Sequence, residues 1–98
     1  MKTPIFDCEV SVRDGDGLLD LHRMEVSATD GEVRFTDPDC VGCTVAQVLE
    51  RASSIRVPRE EGWRWESPTE DNFRAVLTYY KERHARTVSL HRRRSSLE

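Results

Sequence analysis

Residues 4–13 impose the strongest constraint on the fold, because apolar and polar residues alternate through this segment. The apolar positions are Phe6, Cys8, Val10 and Val12. A period of two with one apolar face predicts a half-buried β-strand, since successive side chains of a strand point to opposite faces. Such a strand needs a covering layer, so the pattern predicts a layered domain in which other elements pack on this face.

Two more strands are predicted downstream, each preceded by a turn that is rich in Asp and Gly. Residues 14–17 read Asp-Gly-Asp-Gly and form the first predicted turn, and residues 30–31 read Asp-Gly and form the second. Between residues 19 and 28 the apolar residues occupy odd positions before His22 and even positions after it. This change predicts a β-bulge near His22 and an exposed His22. The predicted three-stranded antiparallel meander comprises segments 4–13, 18–28 and 32–36.

The first predicted helix spans residues 44–53. Thr44 and Gln47 match the T-x-x-Q capping box, in which each side chain satisfies a backbone N–H group of the other residue. Apolar residues follow at helical spacing, so this helix is expected to cover the sheet. Residues 55–65 alternate briefly around Pro58, which predicts an irregular segment or a short hairpin.

A second, longer helix is predicted over residues 68–85, with Ser67 as its N-cap and Pro68 in its first turn. The predicted fold is an α+β domain over residues 1–91. A polar, disordered tail is expected over residues 92–98, because this segment has little apolar surface to bury.

A β-grasp-like arrangement is the alternative fold. Residues 44–49, which follow a predicted hairpin, resemble the corresponding part of ubiquitin-like proteins. This resemblance implies that residues 55–65 return to the sheet as a further strand.

The chain of 98 residues is long enough for one domain with a modest core. Its net charge of −3 hides an asymmetry: residues 1–50 carry 11 acidic and 4 basic residues, and residues 51–98 carry 7 and 11. Either the two halves attract each other, or the basic half offers a surface to an anionic partner. No apolar run has the length of a membrane helix and no export pattern is visible. We therefore expect a small, soluble, cytoplasmic domain without a membrane partner.

The C-x-x-C pair Cys40 and Cys43 is the candidate chemical site. Such a pair supplies two of the four ligands of a structural zinc ion, so zinc is the one cofactor that the sequence suggests. Its place between a strand and a helix is similar to the active-site arrangement of the thioredoxin family, which implies a thiol-redox function. The capping box, however, starts the helix at Thr44, after both thiols, whereas the attacking cysteine of that family lies at the helix start. Two structural loop thiols are the third interpretation.

Three aromatic residues, Trp63, Trp65 and Tyr79, stand among charged neighbours and form the predicted protein-binding surface. The chain lacks a nucleophile-elbow motif, a zinc-protease helix motif and a phosphate-binding glycine loop. The expected function is therefore a non-enzymatic interaction or adaptor module. Its expected partner is another protein or a second copy of the chain.

The basic C-terminal end supports an alternative function, that of a nucleic-acid-binding accessory protein. The residues predicted to contact phosphates are Arg83, Arg86, Arg92, Arg93 and Arg94. Tyr79 would be available to stack on a base.

Overall fold

The structure of the protein is a computed structural model that describes the backbone of residues 4–97 and the side chains of residues 4–88. Within that range it contains one antiparallel sheet and two helices, which confirms the predicted α+β class. The strands are β1 (Ile5–Asp14), β2 (Leu19–Ser27), β3 (Val33–Phe35), β4 (Ala52–Arg59) and β5 (Gly62–Glu66). The helices are α1 (Val45–Arg51) and α2 (Glu70–Leu97).

The sheet has five strands in the order β3-β2-β1-β4-β5, so the predicted sheet of three strands is too small. The segment predicted as irregular or a short hairpin, residues 55–65, belongs to the β4–β5 hairpin. This hairpin joins the sheet because Ile55 and Val57 are fully buried and share the core with the apolar face of β1. The β-grasp-like alternative is not confirmed.

The register between β1 and β2 runs without a shift from Ile5↔Ser27 to Arg13↔Leu19, so the predicted bulge is wrong. His22 opposes Val10, a residue of the buried face, while Leu21 is 47% exposed on the opposite face. A bulge would turn Leu19 and Leu21 toward the core but would leave part of the β1–β2 hydrogen-bond ladder unpaired. The chain instead keeps the ladder intact and turns His22 inward.

Both helices begin at a side-chain cap. The Thr44 hydroxyl accepts from the Gln47 N–H at 3.1 Å, and the Gln47 side chain accepts from the Thr44 N–H at 2.9 Å, as the capping box predicts. Helix α2 begins later than predicted, because Thr69 rather than Ser67 accepts a hydrogen bond from the N–H of Asn72. Helix α1 ends at Arg51, two residues before the predicted end, and β4 follows at once.

Helix α2 reaches Leu97, well beyond the predicted end at residue 85. The disorder predicted for residues 92–98 stays a prediction, as does the domain boundary at residue 91. Within the described residues, neither α1 nor α2 is both long enough and apolar enough to cross a membrane.

The contact between β1 and β4 is short. Their described pairing covers only the end of β1, from Val12↔Ile55 to Asp14↔Ala52, with a register shift after Arg13. Pro58 lies in the part of β4 that has no described partner on β1, where its missing N–H is tolerated. Helix α2 contacts both strands, and His84 stacks on Phe6 at the other end of β1 with ring centroids 5.6 Å apart.

The inward face of β2 can be tested with two substitutions on this strand. Met24 is 1% exposed, so Met24→Ala should lower the free energy of unfolding by about 2–5 kcal/mol. Leu21→Ser, on the exposed face, should change it by less than about 0.5 kcal/mol. Urea unfolding measures both values, and a large loss for Leu21→Ser would mean that the register of β2 is wrong.

The start of α2 is tied to the β4–β5 hairpin by Arg59. Its Nη2 donates to Oε1 of Glu66 at 2.9 Å and to Oδ1 of Asn72 at 2.8 Å. The hydrogen bonds from Arg59 hold the pKa of Glu66 below its ordinary value.

Glu66→Gln should therefore destabilise the protein in a pH-dependent way. A carboxylate whose folded pKa is depressed contributes stability above its unfolded pKa and loses it as the pH falls through the folded pKa. The difference in unfolding free energy between wild type and Glu66→Gln should be largest near pH 7 and should shrink below about pH 4.5. Glu60→Gln on the same hairpin changes the same charge without removing a described hydrogen bond, and it should show the smaller effect. A constant difference between pH 7 and pH 3 would contradict this prediction.

Candidate functional site

Three potential metal ligands meet at the end of the sheet that α1 covers. His22 from β2 and Asp37 and Cys40 from the loop between β3 and α1 place one ligand atom each within 4.8 Å of one another. We call these three residues the donor cluster. Among the described residues it is the one group of three or more such side chains at this spacing.

The β1–β2 ladder positions the histidine, and two successive turns position the loop residues. The N–H of Cys40 donates to the carbonyl of Asp37 at 3.0 Å, and the N–H of Cys43 donates to the carbonyl of Cys40 at 2.9 Å. Gly42 adopts φ +85°, a conformation that side chains rarely allow, and completes the second turn. Asp37, Cys40 and Cys43 therefore recur at intervals of three residues just before the first turn of α1.

Asp37 is the polar centre of the cluster. His22 Nδ1 donates to Asp37 Oδ2 at 3.1 Å, and both side chains are only 12% exposed. The other carboxylate oxygen of Asp37, Oδ1, is buried and has no hydrogen-bond partner among the described residues. A buried carboxylate oxygen without a partner is costly, and a cation beside it would remove that cost.

The environment of the Cys40 thiol favours its protonated form. Cys40 is 3% exposed, and burial, together with hydrogen bonding to Cys43, raises its pKa to about 11. The negative charge of Asp37 acts in the same direction, and the nearby Arg51 acts against it. A metal ion that binds here must displace the thiol proton, as metals do at cysteine ligands.

The cluster lines a pocket of about 260 Å³ that opens at the surface. Its walls include Val12 and Val48 from the core and Arg51 and Asp39 at the rim. The lining of the pocket therefore combines buried apolar side chains with exposed charged ones.

A nucleophilic role for Cys40 fits this geometry less well than a ligand role. Reactive cysteines are partly exposed and have a lowered pKa. Cys40 is buried and its pKa is raised, so it does not offer an accessible thiolate that the His22–Asp37 pair could activate.

The sequence identifies one of the three residues of the donor cluster, Cys40. It singles out Cys40 and Cys43, and the structure places Cys43 beside Cys40 but outside the group of three. It misses Asp37 and treats His22 as exposed. Two signals could have found them: His22 shares the parity of Val10 in an unbulged register, and Asp37 precedes Cys40 by the same three residues that separate the cysteines.

The aromatic residues of the predicted protein-binding surface separate into two contacts. Trp63 is 37% exposed and packs edge-on against Tyr79 with centroids 5.0 Å apart. Trp65 lies under the guanidinium of Arg13, which is 4.4 Å from the ring centroid. Protein binding through these residues stays a prediction.

The arginines of the predicted nucleic-acid surface are only partly described. Arg83 and Arg86 are exposed on α2, and Arg83 donates to the hydroxyl of Tyr79 at 3.1 Å. The side chains of Arg92, Arg93 and Arg94 lie outside the described residues.

The chain matches no protein-family model, and comparisons with curated proteins and with solved structures gave no significant match.

The burial of the thiols predicts an order of reactivity. Because burial raises the pKa of Cys40 to about 11 and that of Cys8 to about 12, the thiolate form of both residues is disfavoured. Alkylation of the native, metal-free protein with iodoacetamide, followed by peptide mass mapping, should modify the half-buried Cys43 first. In urea all three should react at similar rates. Native-state alkylation of Cys40 as fast as in urea would contradict its burial.

Proposed function

We propose that the protein binds one zinc ion through His22, Asp37 and Cys40, with Cys43 as the fourth ligand. The observation that supports this proposal is the convergence of three donors from two distant segments on a buried carboxylate oxygen that has no partner. Neither the packing nor the hydrogen bonds of the described residues use that oxygen.

The donor types select the metal. A thiolate and an imidazole favour zinc over calcium and magnesium, which take oxygen ligands. Ligand atoms around a tetrahedral zinc lie about 3.5 Å apart, given metal–ligand distances of about 2.0–2.3 Å. The donor cluster, with separations up to 4.8 Å, needs a contraction of about 1 Å to reach that geometry.

Cys43 completes the set by a small movement. It is half-buried, lies beside Cys40 and is followed by the N-cap residue of α1. In the proposed complex its sulfur turns toward the other donors, since Cys43 lies outside the donor cluster in this structure. With four protein ligands the site has no open position, so the proposed role is structural.

Such an ion would join three parts of the fold. His22 belongs to β2, Asp37 and Cys40 belong to the loop, and Cys43 adjoins α1. The loop that carries the cysteines packs on the core through Cys40 but has few backbone hydrogen bonds of its own. Zinc would hold this loop, and with it α1, against the sheet. Because reduced thiols are required, we also propose a cytoplasmic location.

Zinc loading provides the direct test. Protein purified from zinc-supplemented medium without chelators should contain about one zinc per chain by elemental mass spectrometry. Free zinc at 100 times the dissociation constant should raise the free energy of unfolding by about 2.7 kcal/mol. Cobalt in place of zinc should give a thiolate-to-metal charge-transfer band, which reports cysteine ligation separately from stability.

Single substitutions distinguish ligation from general stabilisation. Asp37→Asn keeps the shape of the side chain but removes the charge, and it should weaken zinc binding by at least about 100-fold, as should Cys40→Ser. Glu50→Gln, on α1 but outside the pocket, and His84→Ala, on α2, are the matched controls and should bind as the wild type does. Affinities come from competition with a chromophoric chelator, and circular dichroism checks that each variant is folded. If folded Asp37→Asn binds zinc with wild-type affinity, or if the wild type binds none, the proposal is wrong.

A further inference from the structure

A second pocket, of about 320 Å³, lies beside the parts of β1 and β4 that are not paired with each other. Four elements contribute to it: β1, β4, β5 and α2. We call it the aromatic pocket, because Trp63, Tyr79 and Tyr80 form much of its wall. Its size is at the lower limit for small-molecule sites.

The rings of the aromatic pocket are arranged edge to face. The planes of Trp63 and Tyr79 meet at 78° and those of Tyr79 and Tyr80 at 86°. The planes of Trp63 and Tyr80 are tilted by 48°, so no pair among the three rings is stacked face to face. A planar ligand ring could therefore stack on the indole while its edge meets the tyrosines.

Two arginines of the pocket have no carboxylate partner among the described residues. Five other arginines lie within 4.0 Å of a carboxylate oxygen. Arg56 instead lies 5.8 Å from the ring centroid of Trp63, and Arg83 lies 5.7 Å from that of Tyr79. The single carboxylate of the wall, Glu9, is itself 3.8 Å from Arg23. The pocket therefore carries an excess of positive charge.

This charge selects the kind of ligand. Aromatic walls with one carboxylate could suit a quaternary ammonium group, but the two guanidinium groups already next to the rings would repel a cation. An anionic group would bind between the arginines, with the Ser11 hydroxyl at the same wall as a further hydrogen-bond donor. Burial raises the pKa of Tyr80, so its hydroxyl stays protonated and adds another donor.

We infer that the aromatic pocket binds a nucleotide, with the base stacked on Trp63 and the phosphate held by Arg56 and Arg83. A nucleotide combines a planar ring with a phosphate one sugar away, which matches an aromatic wall bordered by two guanidinium groups. A free nucleotide and one unit of a single-stranded nucleic acid present the same chemistry to the pocket, and the binding of an oligomer distinguishes them. This inference does not depend on zinc, because no residue of the aromatic pocket belongs to the donor cluster.

Trp63 itself reports binding. A Trp65→Phe background leaves Trp63 as the only tryptophan, because the chain has two. Titration of this protein with AMP should quench the Trp63 emission in a saturable way, whereas adenosine and inorganic phosphate should each bind at least about tenfold more weakly. Equal affinity for adenosine and AMP, or no saturable quenching up to millimolar AMP, would overturn the inference.

Variants of the arginines locate the site. In the Trp65→Phe background, Arg83→Gln and Arg56→Gln should each weaken AMP binding by about tenfold. Arg74→Gln, on the same helix, removes an arginine that pairs with Asp71 and should leave the affinity unchanged. Chemical shifts of backbone amides in Trp63→Leu, which lacks the stacking ring, should no longer respond to AMP. A weakening as large for Arg74→Gln as for Arg83→Gln would show non-specific charge attraction and would overturn the inference.

An oligomer distinguishes the two sources of the nucleotide. If an eight-residue oligodeoxyadenylate binds far more tightly than AMP and with steep salt dependence, the ligand is a single-stranded nucleic acid. If AMP binds as tightly as the oligomer, the ligand is a free nucleotide. Both results support nucleotide binding in the aromatic pocket. Tighter binding of phosphotyrosine than of AMP would instead indicate a phosphopeptide site and would overturn the assignment.

Discussion

The unbroken ladder between β1 and β2 is the constraint on which the rest of the structure depends. Every residue from Ile5 to Arg13 has a partner on β2, and paired side chains lie on the same face of the sheet. The inward-facing residues of β1 therefore determine which residues of β2 face inward. Val10 faces the core, so His22 must face it too, although it is a titratable residue. Leu19 and Leu21 are exposed for the same reason. A buried polar side chain needs a partner, and the loop that follows β3 supplies one in Asp37.

The loop before α1 provides the hydrogen-bond partner of His22 through its local turn structure. Two turns with a period of three residues direct Asp37, Cys40 and Cys43 to one side, and the capping box then starts the helix. The Asp37 carboxylate accepts from His22 with one oxygen and leaves the other buried without a partner. One buried side-chain acceptor of the loop is thus left without a partner, which is the state expected of a binding site rather than of a purely structural turn.

Local features of the fold could be predicted from the sequence, and distant contacts could not. The Thr44–Gln47 capping box is a local pattern that indicates the start of a helix. The alternation of β1 is a local pattern that indicates a half-buried strand. The pairing of β4 with β1 joins Val12 to Ile55, and a linear pattern of apolar residues does not show which strands meet. The same limit applies to the donor cluster. Cys40 was visible as part of a motif, but its partner His22 is 18 positions away and becomes a neighbour only through the sheet.

The charge asymmetry of the chain gives both pockets a common physical basis. If the acidic and basic halves neutralised each other, ion pairs would join them. The described ion pairs instead stay within a half: Arg23 with Glu9 and Arg34 with Glu25 in the acidic half, and Arg59 with Glu66, Arg64 with Glu61 and Arg74 with Asp71 in the basic half. Each half therefore keeps its excess charge at its own surface. The acidic half contains all the proposed cation ligands, and the basic half supplies both arginines of the aromatic pocket. At physiological salt, charges separated by more than about 8 Å are largely screened, so the charged residues that line each pocket, including Arg51 in the first and Glu9 in the second, determine which ion it attracts.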